Sequence, residues 1–519
     1  MAPDTREGED RPVGIDLGTT LTKLAYIDAS GKPVIVPNAE GELLTPSVVV
    51  FTKTGVLVGR DARREAVANP ARAVFNVKRH MGNPKWRFKV DGETYTPESI
   101  SALILKKVVK DAEMHIGPIR RAVITVPAYF DDARRKATED AGRIAGLEVI
   151  DILNEPTASA LAYGMAERGE DGVILVYDLG GGTFDVTVIE KRGNEFITLA
   201  TDGDVELGGK DWDERLVHYL ADEFTREFGA DPREDPQALA YLWLSAEEAK
   251  KTLSRREWAR VPVSYKGHWG NYDVSREQFE SLTEDLLAVT QLTTEMVLEE
   301  AGLTWEGISR VIPTGGSTRM PMVQRLLERM SGRPVRVEVP VDEAVCFGAA
   351  IHAAVCTLEG GRRITELSAE AAERLGKIRT TDVAAHALGL IIKDAHTLQY
   401  RNDVIIPKNS RLPVSVTKTY QTAVDGQQKI ILQVVQGDAP DPEANIVIGT
   451  AEVTGLPPAR PAGSPVRVTY AYDRKGRIHL TTEDVETGKR ITTEIAREGG
   501  LRADQVAEEA RRLSLKSIE

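Results

Sequence analysis

Two acidic residues flank a glycine-rich turn in residues 176–189, which read VYDLGGGTFDVTVI. Asp178 precedes the turn and Asp185 follows it, and β-branched residues on both sides predict a hairpin. The glycines at 180–182 can adopt positive φ and leave backbone N–H groups open toward an anion. Thr183 adds a hydroxyl beside the turn, and the two carboxylates suit a hard cation such as Mg²⁺. The stretch therefore predicts a hairpin that binds phosphate and metal, with an ordinary glycine-rich turn as the alternative.

A second stretch of the chain repeats this pattern. Residues 13–27, VGIDLGTTLTKLAYI, place Asp16 before a Gly-Thr-Thr turn and continue into another strand. Two helical segments are also alike, because residues 153–166 and 341–354 each put an acid ahead of a small-residue helix that contains a glycine. Internal similarity at long range is typical of repeated structural units. The paired hairpins and helices predict two related half-domains that face each other across a cleft.

A further turn and a helix supply polar groups for the same cleft. Residues 311–323, VIPTGGSTRMPMV, lead an apolar run into consecutive glycines, which leave room for a flat ring or a phosphate. Arg319 in this turn can stack on a purine or pair with phosphate. A helix at residues 245–254 has four polar side chains on one face, and a solvated charge face is the alternative interpretation. These side chains are Glu247, Lys250, Lys251 and Ser254.

Length and composition restrict the class of protein. With 519 residues, the chain has room for two or more domains. The net charge of −13 argues against a nucleic-acid partner, which usually requires a basic surface. No apolar run is long enough to span a bilayer, and the charged N-terminus lacks the apolar core of a signal peptide. The only two cysteines, Cys346 and Cys356, fit a reducing compartment, so a cytoplasmic protein without membrane association is predicted.

The order of elements predicts an α/β region followed by an all-β region. Residues 122–130 have the pattern of a buried strand, and residues 131–146 that of an amphipathic helix. Residues 359–382 are charged and rich in Ala, Glu and Arg, with helix propensity in the middle. From 382 to about 495, short alternating strands with turn signals roughly every ten residues predict an antiparallel β-sandwich. Residues 500–519 predict a single amphipathic helix.

Several motifs, taken in order, resemble one protein family. No Walker P-loop, HEXXH, CxxC or G-x-S-x-G motif occurs in the sequence. The two hairpins and the GGSTR turn resemble the actin–hexokinase–heat-shock superfamily of ATPases. Within it, the match is close to the seventy-kilodalton heat-shock chaperones of bacterial DnaK type, strongly over residues 13–359 and more weakly from 382 to about 500. The matching motifs are GIDLGTT, VKRHMG, VITVPAYF, LNEPTASALAYG, VYDLGGGTFD, GGKDWD and GGSTRMPMV.

The resemblance implies an α/β, actin-like ATPase fold of two related lobes around a nucleotide cleft, followed by an antiparallel β-sandwich peptide-binding domain. It implies a slow, Mg²⁺-dependent ATPase that binds ATP and ADP and acts as an ATP-dependent molecular chaperone on unfolded or extended polypeptides. An ATP-gated scaffold that binds one specific partner is the alternative function. The expected domains are a disordered tail (1–11), the nucleotide-binding domain (12–361), a charged, partly helical linker (362–381), the β-sandwich (382–499) and a short C-terminal helix (500–519).

Matching motif positions give the site residues that the resemblance implies. The catalytic group is Lys78, Glu155, Thr183 and Asp185, with Lys78 as the catalytic lysine and Glu155 near the attacking water. The metal-proximal carboxylates are Asp16, Asp178 and Asp185, which would bind Mg²⁺ mainly through water. The other nucleotide-binding residues are Gly18, Thr19, Thr20, Lys23, Gly180, Gly181, Gly182, Gly208, Gly209, Glu247, Lys250, Lys251, Ser254, Gly315, Gly316, Ser317, Arg319 and Asp342. A peptide groove on the β-domain would be lined by Tyr420, Ala423, Ile430 and Leu432, with ordinary core packing as the alternative.

Three features depart from the family pattern. The short apolar linker of the family is replaced by residues 377–380, which are mostly polar, so weakened communication between the two domains is expected. Asp151 stands where the family carries an arginine that engages J-domain co-chaperones, and this reverses the local charge. A GrpE-type nucleotide exchange factor is the other implied partner. Because the chain stops at Glu519, the family's helical lid is expected to be absent, and bound peptide to leave quickly in both nucleotide states.

Overall fold

The computed structural model describes residues 9–166, 171–335, 337, 339–394, 397–454, 459–474, 476–485, 488, 490–493, 496–497 and 500–519. The helices in these residues are α1 (Arg60–Ala68), α2 (Pro97–Ile116), α3 (Asp132–Ile144), α4 (Glu155–Ala166), α5 (Gly209–Phe228), α6 (Pro236–Leu253), α7 (Arg276–Leu282), α8 (Glu284–Glu300), α9 (Pro321–Ser331), α10 (Ala344–Glu359), α11 (Ala369–Leu375) and α12 (Ala503–Ser514). None of these helices is long and apolar enough to cross a membrane.

The strands of the α/β region come first in the chain. They are β1 (Glu9–Asp10), β2 (Val13–Leu17), β3 (Leu21–Ile27), β4 (Pro33–Ile35), β5 (Thr45–Pro46), β6 (Val49–Phe51), β7 (Val56–Val58), β8 (Ala73–Val74), β9 (Phe88–Val90), β10 (Glu93–Tyr95), β11 (Arg121–Val126), β12 (Glu148–Asn154), β13 (Gly172–Leu179), β14 (Phe184–Arg192), β15 (Glu195–Asp204), β16 (Trp258–Tyr265), β17 (His268–Ser275), β18 (Arg310–Thr314), β19 (Arg363–Ile364) and β20 (Arg379–Thr381). The strands of the all-β region are β21 (Leu388–Lys393), β22 (Tyr400–Ile406), β23 (Val414–Gln421), β24 (Lys429–Gln436), β25 (Ile446–Thr454), β26 (Pro465–Tyr472), β27 (Ile478–Asp484), β28 (Arg490–Thr493) and β29 (Ala496–Arg497).

Two mixed sheets with similar hairpins form the centre of the α/β region. The first has the order β12-β11-β2-β3-β4, and the second the order β18-β13-β14-β15-β20. In each, a parallel pair meets an antiparallel hairpin, β2–β3 in the first sheet and β13–β14 in the second. The predicted α/β fold of two related lobes is confirmed. The first lobe is the one with the sheet β12-β11-β2-β3-β4, and the second lobe is the one with the sheet β18-β13-β14-β15-β20.

Helices α4 and α10 lie between the two sheets and share one apolar core with both of them. Small residues make their close approach feasible. A Cβ added at Gly348 of α10 would lie 1.8 Å from the carbonyl oxygen of Ala158 in α4, far inside the van der Waals limit. Larger side chains at this crossing would separate the helices and therefore the two sheets that carry the hairpins.

Residues 362–381 are more ordered than the linker predicted from sequence. Strand β19 pairs with β1, which lies within the predicted disordered tail, while residues 1–8 of that tail are outside the described residues. Strand β20 pairs in parallel with β15, and the Arg379 N–H donates to the carbonyl oxygen of Asn194 at 3.0 Å. Ile378, the one large apolar residue of the segment at 377–380, is 3% exposed. Main-chain pairing thus attaches a largely polar segment to the second lobe.

The all-β region is a sandwich of two antiparallel sheets. One sheet has the order β22-β21-β24-β25-β29 and the other β23-β26-β27-β28, with an apolar core between them. The sandwich contacts the first lobe at the start of α3, where Arg477 forms an ion pair with Asp132 at 3.2 Å. His386 Nε2 lies 2.9 Å from the carbonyl oxygen of Tyr129 in the same area. The sandwich therefore packs against the lobe that carries the β2–β3 hairpin.

The C-terminal segment returns to the first lobe rather than to the sandwich. Helix α12 packs beside α2 and α3, and Leu513 is fully buried in the core of that lobe. Residues 517–519 continue as an extended chain along β7. The N–H of Val56 donates to the Ser517 carbonyl at 2.9 Å, and the N–H of Val58 donates to the Glu519 carbonyl at 2.8 Å. The predicted helix is present, and it is joined to the α/β region by packing and main-chain bonds.

Candidate functional site

The turns of the two hairpins face each other at very short range. A Cβ added at Gly181 would lie 2.0 Å from Oγ1 of Thr20, and one at Gly182 would lie 2.4 Å from Cγ2 of Thr19. Only glycine fits at these two positions. The β2–β3 turn and the β13–β14 turn therefore form two sides of one narrow space, with the side chains of Thr19 and Thr20 against the backbone of Gly182 and Gly181. The Gly180 N–H closes its own turn by donating to the Thr183 carbonyl at 3.0 Å.

The start of α5 forms a third side of this space. The Gly209 N–H donates to the carbonyl oxygen of Gly180 at 2.9 Å, and a Cβ at Gly208 would lie 2.5 Å from the Gly182 nitrogen. Arg79 binds the same turn, because its Nε donates to the Gly182 carbonyl at 2.8 Å. Asp211 in the first turn of α5 accepts from this arginine as well. Sequence reasoning missed Arg79 and Asp211, although Arg79 lies within the VKRHMG motif and Asp211 within GGKDWD.

Four carboxylates gather at the base of the two hairpins. Asp178 and Asp185 are direct cross-strand partners, Asp16 is the penultimate residue of β2 in the other hairpin, and Glu155 begins α4. All four side chains are buried. Burial raises the pKa of Asp185 to about 7, and the charge of Glu155 adds to this shift. Burial likewise raises the pKa of Asp178 well above its ordinary value, with Glu155, Asp185 and Asp16 adding repulsion.

Two lysines balance only part of this negative charge. Lys78, from a 3-10 helix at Val77–His80, donates to Glu155, and Lys23 on β3 donates to Asp16 at 2.8 Å. The Oδ2 atom of Asp178 is buried and has no hydrogen-bond partner among the described residues. An unpartnered carboxylate oxygen beside three other carboxylates fits a divalent cation with oxygen ligands, such as Mg²⁺. Lys23 was predicted to contact phosphate, and the structure places its ammonium group on Asp16.

The turn after β18 is attached to the same hairpin. Gly315 has a φ of +84°, and a Cβ there would lie 2.4 Å from the Leu179 carbonyl oxygen. The Ser317 hydroxyl donates to the Gly180 carbonyl at 2.9 Å. Arg319 at the end of the turn donates to Asp342. Asp342 also lies against Gly316, because a Cβ added at Gly316 would be 3.2 Å from Asp342 Oδ1. Predicted residues from three distant motifs therefore surround one turn.

Helix α6 supplies the remaining predicted nucleotide residues. Lys250 donates to the Gly209 carbonyl at 2.7 Å and pairs with Asp213, so it reaches the rim of the glycine-lined space. Glu247 pairs with Lys251 at 2.8 Å. Ser254 bonds back to the carbonyl oxygen of Lys250 in its own helix. Of these four side chains, Lys250 therefore contacts the rim of the site, while the contacts of the other three lie within α6 or with α1.

One ion pair joins α6 to the small helix α1. Arg63 donates to Glu247 at 2.6 Å, and both side chains are mostly buried. Helix α1 packs on the β6–β7 hairpin, which contacts α2 of the first lobe, whereas α6 packs on α5 of the second. The pair thus connects the two lobes on the side of the site away from the hairpin bases. Nothing in the local sequence indicated this contact, because 184 positions separate the partners.

The four residues predicted to line a peptide groove have different environments. Tyr420 is half-buried and donates to Asp403 at 3.0 Å, and Ile430 is half-buried on the neighbouring sheet. Ala423 is exposed in the loop after β23. Leu432 is 5% exposed and belongs to the core between the two sheets. Leu432 therefore packs as the alternative interpretation describes, and the half-buried Tyr420 and Ile430 pack against the same core. Of the four residues, Ala423 is the one that is exposed.

Comparisons with known proteins agree over nearly the whole chain. A family model described as Hsp70 protein matches residues 12–87 and 82–514. The chain is 42% identical over 493 residues to the chaperone protein DnaK of Thermotoga neapolitana, which covers 93% of this chain and 80% of the relative. It is 41% identical over 510 residues to the chaperone protein DnaK of Thermotoga petrophila, covering 96% and 83%. For the chaperone protein DnaK of Thermosipho africanus the identity is 42% over 487 residues, covering 92% and 78%.

Proposed function

The chain belongs to the Hsp70 family, and we propose that its ATP site is the space between the turns at 18–20 and 180–183. The protein is an ATP-dependent chaperone of the DnaK type, and it hydrolyses ATP with Mg²⁺. One observation carries the assignment of the site. The two glycine turns approach so closely that no side chain fits between them, and the strands that carry them hold three of four buried, mutually interacting carboxylates. Such a space accepts phosphates on one side and a cation on the other.

Each residue of the site has a role that its contacts support. The N–H groups of Gly181 and Gly182 and the hydroxyls of Thr19, Thr20 and Thr183 bind the phosphate oxygens, while the Gly180 N–H closes the turn by donating to the Thr183 carbonyl at 3.0 Å. Mg²⁺ would be held by Asp16, Asp178 and Asp185, mainly through water, and would neutralise phosphate charge. Lys23 lowers the charge repulsion around Asp16.

Lys78 and Glu155 act as a pair on the transferred phosphate. Lys78 presents its ammonium group to the γ-phosphate, where negative charge must be stabilised in the transition state. Glu155 holds this lysine in place and orients the attacking water. Its pKa is raised by burial and by the nearby charge of Asp16, although Lys78 opposes the shift, and a raised pKa makes the carboxylate a stronger base toward the attacking water.

The adenosine part of the nucleotide lies between α6 and the turn at 315–319. Lys250, Lys251, Glu247 and Ser254 bind on one side. Gly315, Gly316, Ser317, Arg319 and Asp342 bind on the other, and Gly208 and Gly209 close the floor. The position of Lys250 on the Gly209 carbonyl supports this placement. The flat guanidinium of Arg319 is suited to stacking on a purine.

Strand β20 couples this site to the β-sandwich. It is hydrogen-bonded to β15 and leads directly to Asp382, which accepts from the hydroxyls of Thr157 at 2.7 Å and Thr198 at 2.9 Å. Thr157 is in the first turn of α4, two residues after Glu155. A shift of Glu155 on hydrolysis is therefore passed to the start of the sandwich through Thr157 and Asp382.

Unfolded or extended polypeptides bind the sandwich beside Tyr420, Ala423 and Ile430, and Leu432 supports the groove from the core. A GrpE-type exchange factor and a J-domain co-chaperone of altered charge preference are the expected partners, because Asp151 carries an acid. The location is cytoplasmic, in agreement with the low cysteine content.

The assignment of the site is tested with Lys78→Ala. We expect hydrolysis to be abolished in a single-turnover assay while ATP still binds, because the lysine stabilises the transition state more than the bound ground state. Lys89→Ala, an exposed lysine on β9, is the control and should leave both quantities unchanged. Retained turnover in Lys78→Ala would remove this residue from the mechanism, and lost ATP binding would point to a structural role instead.

A further inference from the structure

Three potential metal ligands meet on the first lobe, away from the nucleotide site. His352 and Cys356 are four residues apart on α10 and therefore share one face of the helix. Asp151 faces them from β12, the edge strand of the first sheet. His352 Nε2 lies 2.9 Å from Asp151 Oδ2 and 3.3 Å from Cys356 Sγ. One donor atom from each residue lies within 4.8 Å of the other two.

The chemistry and spacing of these donors suit Zn²⁺. Thiolate, imidazole and carboxylate are the three side-chain types that bind this ion, with bond lengths near 2.3, 2.0 and 2.1 Å. A tetrahedral ion at these bond lengths separates nitrogen from sulfur and nitrogen from oxygen by about 3.4–3.6 Å. The observed nitrogen–oxygen distance of 2.9 Å needs to open by about half an ångström and the nitrogen–sulfur distance of 3.3 Å by about 0.2 Å. The carboxylate oxygen and the sulfur, which lie within 4.8 Å of each other, need to be about 3.6 Å apart. Zinc sites with three protein ligands keep a fourth position for water.

The surroundings favour a defined site over a chance encounter of side chains. The His352 ring is buried, whereas Asp151 and Cys356 are partly exposed, which gives an ion a route from solvent. The second oxygen of Asp151 accepts from the N–H of Ile152 at 2.9 Å, so the carboxylate is held with Oδ2 toward the histidine. Contacts of this kind around a ligand fix its orientation and raise metal affinity.

We propose that Asp151, His352 and Cys356 form a Zn²⁺-binding site that fastens the edge strand β12 to helix α10. The ion takes the place between the three donor atoms, with a water molecule as its fourth ligand. Because β12 leads into Asn154 and the catalytic Glu155, a bound ion stiffens the strand that positions this residue. The proposal does not depend on the assignment of the ATP site.

The test uses untagged full-length protein that is first stripped of metal and saturated with Mg²⁺ and ADP. Co²⁺ is then added as a spectroscopic substitute for Zn²⁺, and absorption is recorded. A thiolate ligand gives a sulfur-to-cobalt charge-transfer band that carboxylates at the nucleotide site do not produce. We expect one equivalent of Co²⁺ to produce this band in tetrahedral geometry, and Zn²⁺ to abolish it by displacement.

Variants identify the ligands. Cys356→Ser should abolish the charge-transfer band, and His352→Gln should weaken Co²⁺ binding at least tenfold. His479→Gln is the matched control, because His479 also pairs with a carboxylate, Asp473 at 2.9 Å, but on an exposed strand of the sandwich. This control should bind Co²⁺ as the unmodified protein does. Retention of the band in Cys356→Ser, or absence of any band in the unmodified protein, would overturn the proposal.

A second measurement needs no substitution and is therefore independent of folding defects. The rate at which iodoacetamide alkylates Cys356 is followed by peptide mass spectrometry with and without Zn²⁺. We expect one equivalent of Zn²⁺ to slow this reaction at least tenfold, and a chelator to restore it. Cys346 is fully buried and serves as the internal reference for unfolding. An alkylation rate of Cys356 that does not respond to Zn²⁺ would show that the cluster is only an ion pair with a neighbouring thiol.

Discussion

Substitution of Leu513 tests whether burial of this one side chain holds the C-terminal segment on the first lobe. Leu513 is fully buried among residues of the first-lobe core, whereas Leu515, two positions later, is 88% exposed. The change is Leu513→Ala, and Leu515→Ala is the matched control on the same segment. Both substitutions remove the same atoms, so a difference between them reports burial alone.

The size of the effect follows from the packing. Replacing a fully buried leucine by alanine costs about 2–5 kcal/mol, through lost transfer free energy and the cavity that remains. Since about 1.4 kcal/mol corresponds to a factor of ten, the equilibrium constant for docking of the C-terminal segment should decrease by a factor of roughly 30 to several thousand. The ion pairs of Arg512 and Lys516 with Glu93 are partly exposed and contribute about 1 kcal/mol or less each. They cannot compensate for the loss. The substitution of the exposed Leu515 by alanine should reduce the free energy of docking by no more than about 0.5 kcal/mol.

Hydrogen exchange provides a direct readout at two amides. The N–H groups of Val56 and Val58 donate to the carbonyl oxygens of Ser517 and Glu519, so their protection depends on docking of the C-terminal segment. We expect both amides to lose protection in Leu513→Ala and to keep it in Leu515→Ala. Equal protection of Val56 and Val58 in the two variants would refute the reasoning, because it would mean that the segment is held without the buried leucine.

Three further predictions concern the linker, the carboxylates and the ion pair between the lobes. Arg379→Pro removes the N–H that β20 donates to Asn194, so we expect the amides of β20 to lose hydrogen-exchange protection, while Arg379→Ala retains it. Burial raises the pKa of Asp185 to about 7, so metal-free protein should become less stable as pH rises from about 4 to about 7, in thermal unfolding followed with a chelator present. Arg63→Ala removes a partly buried ion pair of about 1 kcal/mol, so ADP release in stopped flow should become about fivefold faster.

Each of these predictions has a control and a contradicting result. Unchanged protection in Arg379→Pro would mean that β20 is held on β15 without this hydrogen bond. For Asp185, the folded protein binds a proton that the unfolded chain has already released, so Asp185→Asn should flatten the slope; an unchanged slope would assign it to other groups. Arg64→Ala, whose side chain is mostly exposed and pairs with Asp61, is the control for Arg63, and equal rates in both variants would contradict the role of the Glu247 contact.

The parts of the fold and site that depend on local sequence were predictable. Asp178, the glycines at 180–182 and Asp185 lie within eight consecutive positions, so the turn and its flanking strands are specified by neighbouring residue types. The repeat at Asp16 then indicated a second, facing hairpin. These inferences needed no knowledge of distant contacts. The roles of Lys78 and Glu155, by contrast, came from the family resemblance, because 77 positions separate them and neither carries a local signal for the other.

Contacts made by folding of the whole chain were not predictable in this way. Arg79 reaches Gly182 and Asp211 across more than 100 positions, and Asp151 reaches His352 across 201. Sequence reasoning interpreted α10 as a helix of small residues for close packing. That interpretation is correct for Gly348 and its neighbours, but it overlooked two polar residues in the same helix. His352 and Cys356 at a spacing of four are unusual among alanines, and this spacing was the one local sign of a shared polar face.

The linker illustrates why side-chain character can mislead about domain communication. Its polar residues predicted weak docking, since one buried isoleucine stabilises by only about 1.5–3 kcal/mol. The structure buries Ile378 and also adds a strand, and backbone hydrogen bonds between strands are available to any sequence without proline. Polar side chains at 379–381 can then remain partly exposed, as edge-strand residues often do. Loss of apolar residues therefore removes only part of the attachment of this linker, because the main-chain pairing of β20 with β15 remains.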